Sequence, residues 1–162
     1  MSQPDEARTG PFWDGVAGRV PMPPAARTLG LEVVGVDPAA GTIDLAFTAT
    51  EAFTNPAGNV LGAFVAAMLY DTVGPALLAT LGADEFQSTL DMSTRFLNPV
   101  RPGRLTAHGR VRHRAGDIAT IGALVSNRSA NSSLSGAHVR LSLSDPSDHQ
   151  LDEWDLPAAE AL

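Results

Sequence analysis

Apolar positions along the chain change period twice, and each change marks a new kind of element. "TIDLAFTAT" (42–50) sets Ile43, Leu45 and Phe47 at every second position, the period of a half-buried strand. "LGLEVVGVD" (29–37) has the same strand character. With "PAAG" between them, the two stretches predict a strand–turn–strand unit. After a loop at "TNPAG" (54–58) the period lengthens. Val65, Met68, Leu69, Val73, Ala76 and Leu77 recur at helical spacing and predict one long helix over 61–80, with Gly82 as its C-cap. Three or four strands follow, over 87–97, 104–114, 117–127 and 134–144, divided by "NPVRPG", "AGD" and "NRSANSS".

This order predicts an α+β domain in which a largely antiparallel sheet of five to six strands wraps one long central helix. Ala63, Ala66, Ala67 and Gly74 fill much of the rest of the helix surface, and side chains this small let another backbone or a ligand come close. A helix apolar nearly all round needs a sheet curled about it or a second subunit over it. The expected domain spans 25–145. Before it, 1–24 is an extension: 1–10 polar and disordered, 11–20 a short amphipathic helix docking through Phe12, Trp13 and Val16, and "PMPP" (21–24) a stiff extended connector. After it, 146–162 is an acidic tail in which Trp154 is the residue able to pack.

Composition narrows the chemistry. A chain of 162 residues fits one domain with a real core. A net charge of −7 argues against nucleic acid as the partner, because that binding needs a basic footprint. All eleven basic residues are Arg, so lysine Schiff-base and P-loop chemistry are excluded, and with no Cys there is no thiolate nucleophile or thiolate metal site. The four His have no metal-ligand spacing, and no metal or separate cofactor is expected. No apolar run reaches the ~18 residues of a membrane span. With a polar N-terminus unlike a secretion signal, the expected location is the cytoplasm.

One stretch stands out. In "NPAGNVLGAFVAAMLYD" (55–71) a turn and two glycines lead into the helix, and Tyr70 and Asp71 then interrupt the apolar run. A charge in an apolar helix is costly unless paired or functional, and no Lys exists to neutralise it. Asp71 is therefore either a working carboxylate or a polar group bonded to backbone or Arg. Asn55 either caps a turn or faces a ligand, and Gly58 and Gly62 fit a turn and a helix start even without one. Arg110, Arg112 and Arg114 alternate with Val111 and His113 and so share a strand face, either solvated or holding phosphate.

These residues carry a resemblance. From about 29 to 144 the chain is similar to PaaI-like acyl-CoA thioesterases of the hotdog-fold superfamily. The family pattern is an Asn, a Gly three residues on, a His-Gly-Gly opening the helix, and an acid nine residues after the His. Asn55 and Gly58 match; His-Gly-Gly reads Leu61-Gly62-Ala63; the acid's place is Tyr70, and Asp71 follows at once. "STLDMSTRFLNPVRPG" (88–103) resembles the next strand and turn, with Thr89 where relatives place a Ser or Thr beside the reacting carbonyl.

The resemblance implies hydrolysis of an acyl-CoA to acid and CoA, coenzyme A entering only as part of the substrate. The carbonyl would meet the N–H of Gly62 or Ala63. A carboxylate on the partner subunit's helix, here Asp71, would activate water or attack directly, with Thr89 and Asn55 beside it. Leu61, Tyr70, Gly58 and Ala66 would shape the pocket, and Arg101, Arg104, Arg112 and Arg114 would meet the CoA phosphates. The assembly implied is a homodimer or dimer of dimers, with neither nucleic acid nor membrane as partner. The alternative is an acyl-CoA-binding hotdog protein without catalysis, since the His and the aligned acid are replaced.

Overall fold

The computed structural model describes residues 9–82, 85–127 and 134–144. The 128–133 turn, the acidic tail with Trp154, and residues 1–8 lie outside the described residues. Two short helices, α1 (Pro11–Val16) and α2 (Pro24–Thr28), precede β1 (Glu32–Asp37) and β2 (Thr42–Ala49). The long helix α3 (Gly62–Leu78) follows, then β3 (Phe86–Phe96), β4 (Gly103–Ala115), β5 (Ile118–Asn127) and β6 (Leu134–Ser144). The six strands form one antiparallel sheet in the order β1-β2-β4-β5-β6-β3. The expected α+β hotdog architecture is present, with the two hairpin strands on one side of the sheet and β3 at the far edge.

The core forms where α3 lies on the sheet. Val65, Met68, Leu69, Val73, Ala76 and Leu77 are buried, as their spacing predicts, against Ile43, Leu45 and Phe47 of β2 and Leu105, Ile121 and Val125 of β4 and β5. Gly109 sets the approach: a Cβ there would lie 3.0 Å from both Thr72 Cγ2 and the Thr72 carbonyl oxygen. Thr72 itself is buried, and its hydroxyl donates to the Met68 carbonyl, one turn back in its own helix.

Three local expectations are corrected. "PMPP" does not run extended to its end, because Pro24 opens α2 at the first helical position, where a missing N–H costs nothing. Gly30 then closes α2 at φ +63°. Its N–H meets the Arg27 carbonyl and the Leu31 N–H meets Ala26, so β1 begins at Glu32 rather than 29. Second, Gly82 is not the C-cap of α3. The helix is capped by Ala79 in right-handed geometry, and the Gly82 N–H donates to Glu85 instead. Third, α1 has no fully buried residue; Phe12 alone packs partly on the core, edge-on to Trp13.

Candidate functional site

The site begins with the turn before α3. Asn55 Oδ1 accepts the N–H groups of Ala57 and Asn59, and the backbones of Asn55 and Asn59 pair. Gly58 sits inside this turn at φ +74°, a conformation that costs a residue with a Cβ about 1–2 kcal/mol. The Val60 and Leu61 N–H groups then bond to the carbonyls of Val100 and Phe53, and Phe64 stacks on Phe53 at 4.2 Å. The first turn of α3 is thereby fixed in place.

What that turn presents is an open helix end. Leu61 is the N-cap and supplies no side-chain acceptor, and the N–H groups of Gly62 and Ala63 have no acceptor among the described residues. The helix dipole adds a partial positive charge there. In front lies a groove of about 390 Å³ walled by Asn55, Asn59, Val60, Gly62, Phe96 and Pro99 among others. A Cβ on Gly62 would stand 3.3 Å from the Phe96 ring, so the glycine keeps this gap open.

A second group lies along α3. The Tyr70 hydroxyl accepts a 2.9 Å hydrogen bond from Thr89, and both border a pocket of about 320 Å³ with Val73, Gly74, Phe86, Gln87 and Ser88. A β-bulge between Thr89 and Asp91 makes this possible, because it brings Thr89 to the helix side of the sheet together with Met92, three residues on. Asp71 is half-buried, its Oδ2 is buried with no hydrogen-bond partner among the described residues, and burial raises its carboxyl above the ordinary Asp value. Pro75 carries no N–H, so the intrahelical bond that would end on the Asp71 carbonyl cannot form.

Of the expected site residues, Asn55, Gly58 and Gly62 gather at the helix end, with Ala63 exposed beside them and Ala66 half-buried one turn on. Tyr70, Asp71 and Thr89 gather further along. The arginines scatter. Arg101 donates to the Gly58 carbonyl at 3.3 Å, next to the groove. Arg104 is paired with Glu32 at 2.7 Å. Arg112 lies over Gly122, whereas Arg114 pairs with Glu85. The expectation that Arg110, Arg112 and Arg114 share a face is therefore corrected. A bulge between Val111 and His113 sets Arg114 opposite the buried Ala119, on the helix side of the sheet. Sequence reasoning missed Asn59, Phe96 and Gln87. The Asn59 spacing from Gly62 was the one available signal, and the other two reach the site only through the sheet pairing.

Among the described residues no group of three or more His, Asp or Glu is placed to hold a metal ion, and no helix is long and apolar enough to cross a membrane.

A six-stranded antiparallel sheet with one long helix on it, whose uncapped end opens to a groove, defines the hotdog class. The thioesterase superfamily profile matches residues 57–132. A phenylacetic acid degradation-related protein of Ralstonia eutropha is 30% identical, with a TM-score of 0.76, covering 81% of this chain and 98% of its own. The PaaI protein of the Escherichia coli phenylacetic acid degradation operon has a TM-score of 0.70 at 17% identity, covering 81% and 91%. A thioesterase of Haemophilus influenzae has 0.74 at 18%, covering 88% and 96%. No curated protein matches the sequence. The chain belongs to the thioesterase superfamily, on its PaaI-like hotdog branch, and thioester hydrolysis is the chemistry this membership supports.

Proposed function

We propose that this protein hydrolyses an acyl-CoA thioester at a site shared by two copies of the chain. The observation that carries the reading is the uncapped N-terminus of α3: the N–H groups of Gly62 and Ala63 have no acceptor among the described residues, and Gly62 lines the groove. Donors held there would bind the carbonyl oxygen more tightly as it becomes an oxyanion. Asp71 supplies a half-buried carboxylate as base, its Oδ2 without a hydrogen-bond partner among the described residues.

Helix geometry then calls for the second copy. Asp71 is nine residues from Gly62, about 13 Å along the axis, too far to serve a carbonyl held at its own helix end. Large apolar groups are exposed at both pockets, Phe96 and Leu97 at the groove and Tyr70 and Phe86 at the second pocket, and such groups suit a subunit contact. In the reaction Asp71 takes a proton from water, the water oxygen bonds to the carbonyl carbon, and the C–S bond breaks. CoA leaves as the thiolate and takes up the proton.

The replaced residues favour a second reading, a binder without turnover. Leu61 offers no hydrogen bond, and the Tyr70 hydroxyl is already engaged by Thr89. A panel of CoA thioesters assayed for released thiol separates the two. Hydrolysis that falls at least tenfold in Gly62→Val supports the hydrolase. Tight binding of acyl-CoA that stays intact supports the binder. A chain that is monomeric by light scattering while hydrolysing at full rate sinks the shared site.

A further inference from the structure

We infer that the side-chain amide of Asn59 donates a hydrogen bond to the thioester carbonyl oxygen, in place of the donor that Leu61 lacks. The inference rests on the hydrolase reading. Asn59 lines the groove with Gly62, Asn55 and Phe96. Its backbone is fixed on both sides: the N–H donates to Asn55 Oδ1 at 3.2 Å, and the carbonyl accepts the Asn55 N–H at 2.8 Å. The root of the side chain is therefore set before any ligand arrives, which is what a donor to a developing oxyanion requires.

Among the described residues the side-chain amide makes no hydrogen bond. Its Oδ1 is buried without a hydrogen-bond partner among the described residues. Its Nδ2 makes no hydrogen bond among them either, and is not buried with the oxygen. The carboxamide thus keeps its oxygen buried while its N–H groups stay open, in a residue that lines the groove. Asn55 differs, because its Oδ1 is committed to two backbone N–H groups and holds the turn. Leu61, the residue at the family's His position, is 46% exposed and apolar. A carbonyl oxygen at the Gly62 N–H would gain a third donor from Asn59, with no proton changing hands.

The test compares wild type with Asn59→Ala, Asn59→Asp and Asn55→Ala, by steady-state hydrolysis of the best CoA thioester and by thermal melting. Asn59→Ala should lower kcat on the order of a hundredfold, leave KM within about twofold, since the donor acts mainly on the developing oxyanion, and leave Tm unmoved, since no bond within the chain is lost. Asn59→Asp, similar in shape but without the donor, should fall at least as far. Adding Leu61→His to Asn59→Ala should restore part of the loss. Asn55→Ala should instead lower Tm. Wild-type kcat in Asn59→Ala, or a loss of kcat matched by a fall in Tm, overturns the role of Asn59 while leaving the hydrolase reading intact. A wild-type protein that turns over no CoA thioester overturns both.

Discussion

Thr89 Oγ1 stands 2.9 Å from the Tyr70 hydroxyl, to which it donates, so a strand residue of the distal edge is tied to the helix position where the resemblance leads us to expect an acid. Here the bond makes that position a strut. Tyr70 is 48% exposed, so the bond contributes at the low end of the usual range, about 0.5–1 kcal/mol. Tyr70→Phe should lower Tm by a few degrees (about 2–4 °C) and change kcat less than about threefold. Differential scanning fluorimetry beside the thiol-release assay checks both. A loss of kcat comparable with that of Asp71→Asn would move the phenol into the chemistry.

Asp71 should show opposite effects on stability and activity. Burial raises its folded pKa above the unfolded value, so the folded state binds the proton more tightly and the ionised form is the destabilised one. That penalty is fully present above the folded pKa and disappears as pH falls through it toward the unfolded value. Asp71→Asn should therefore melt higher than wild type at pH 7, and the gap should close toward pH 4. Its kcat should fall roughly a hundredfold or more, the scale of a lost general base. The wild-type kcat/KM should decline on the acid side with an apparent pKa above the ordinary Asp value. Melting curves that never separate across this range would show that burial does not act on Asp71 in solution.

The periodicity of Val65 through Leu77 was enough to place the buried face of α3, because a helix that must cover a sheet repeats its apolar residues locally. Gly62 and Asn55 were legible for a similar reason, since turn and helix-start chemistry is encoded within a few residues. The bulges were not. Nothing in "STLDM" marks the register shift that brings Thr89 to the helix, and nothing in "RVRHRA" marks the one that sets Arg114 against Glu85. Register is set by the partner strand, so strict alternation placed three arginines on one face where the sheet separates them. The short helix α2 escaped because the three prolines of "PMPP" read as a connector, although Pro is also at home at the first helical position.

Gly109 tests how tightly α3 sits on β4. An added Cβ would meet Thr72 Cγ2 and the Thr72 carbonyl at 3.0 Å and Ile43 Cγ2 at 3.1 Å. A side chain can turn away, but a helix carbonyl cannot move without the helix. Gly109→Ala should cost about 1–3 kcal/mol, the usual range for overpacking, measured by urea unfolding. Adding Thr72→Ser removes the methyl but leaves the carbonyl, and should recover only part of the loss. Full recovery would mean that the methyl alone is the obstacle.

The last prediction separates the arginines. Arg101 is the one anchored beside the groove, through its bond to the Gly58 carbonyl. A guanidinium has five N–H donors, so that single bond leaves others to meet a phosphate. Arg104 is held by Glu32, whose carboxyl it lowers below the ordinary Glu value, and Arg114 is held by Glu85. Arg101→Ala should raise KM for the CoA thioester about tenfold, near the worth of one charge-assisted hydrogen bond. It should leave KM for a short thioester without the nucleotide nearly unchanged. Arg104→Ala and Arg114→Ala should leave both within about twofold. Arg101 also braces the Gly58 turn, so the short substrate is the control. If Arg101→Ala weakens both substrates equally, the residue acts through the turn, and the phosphates are met elsewhere.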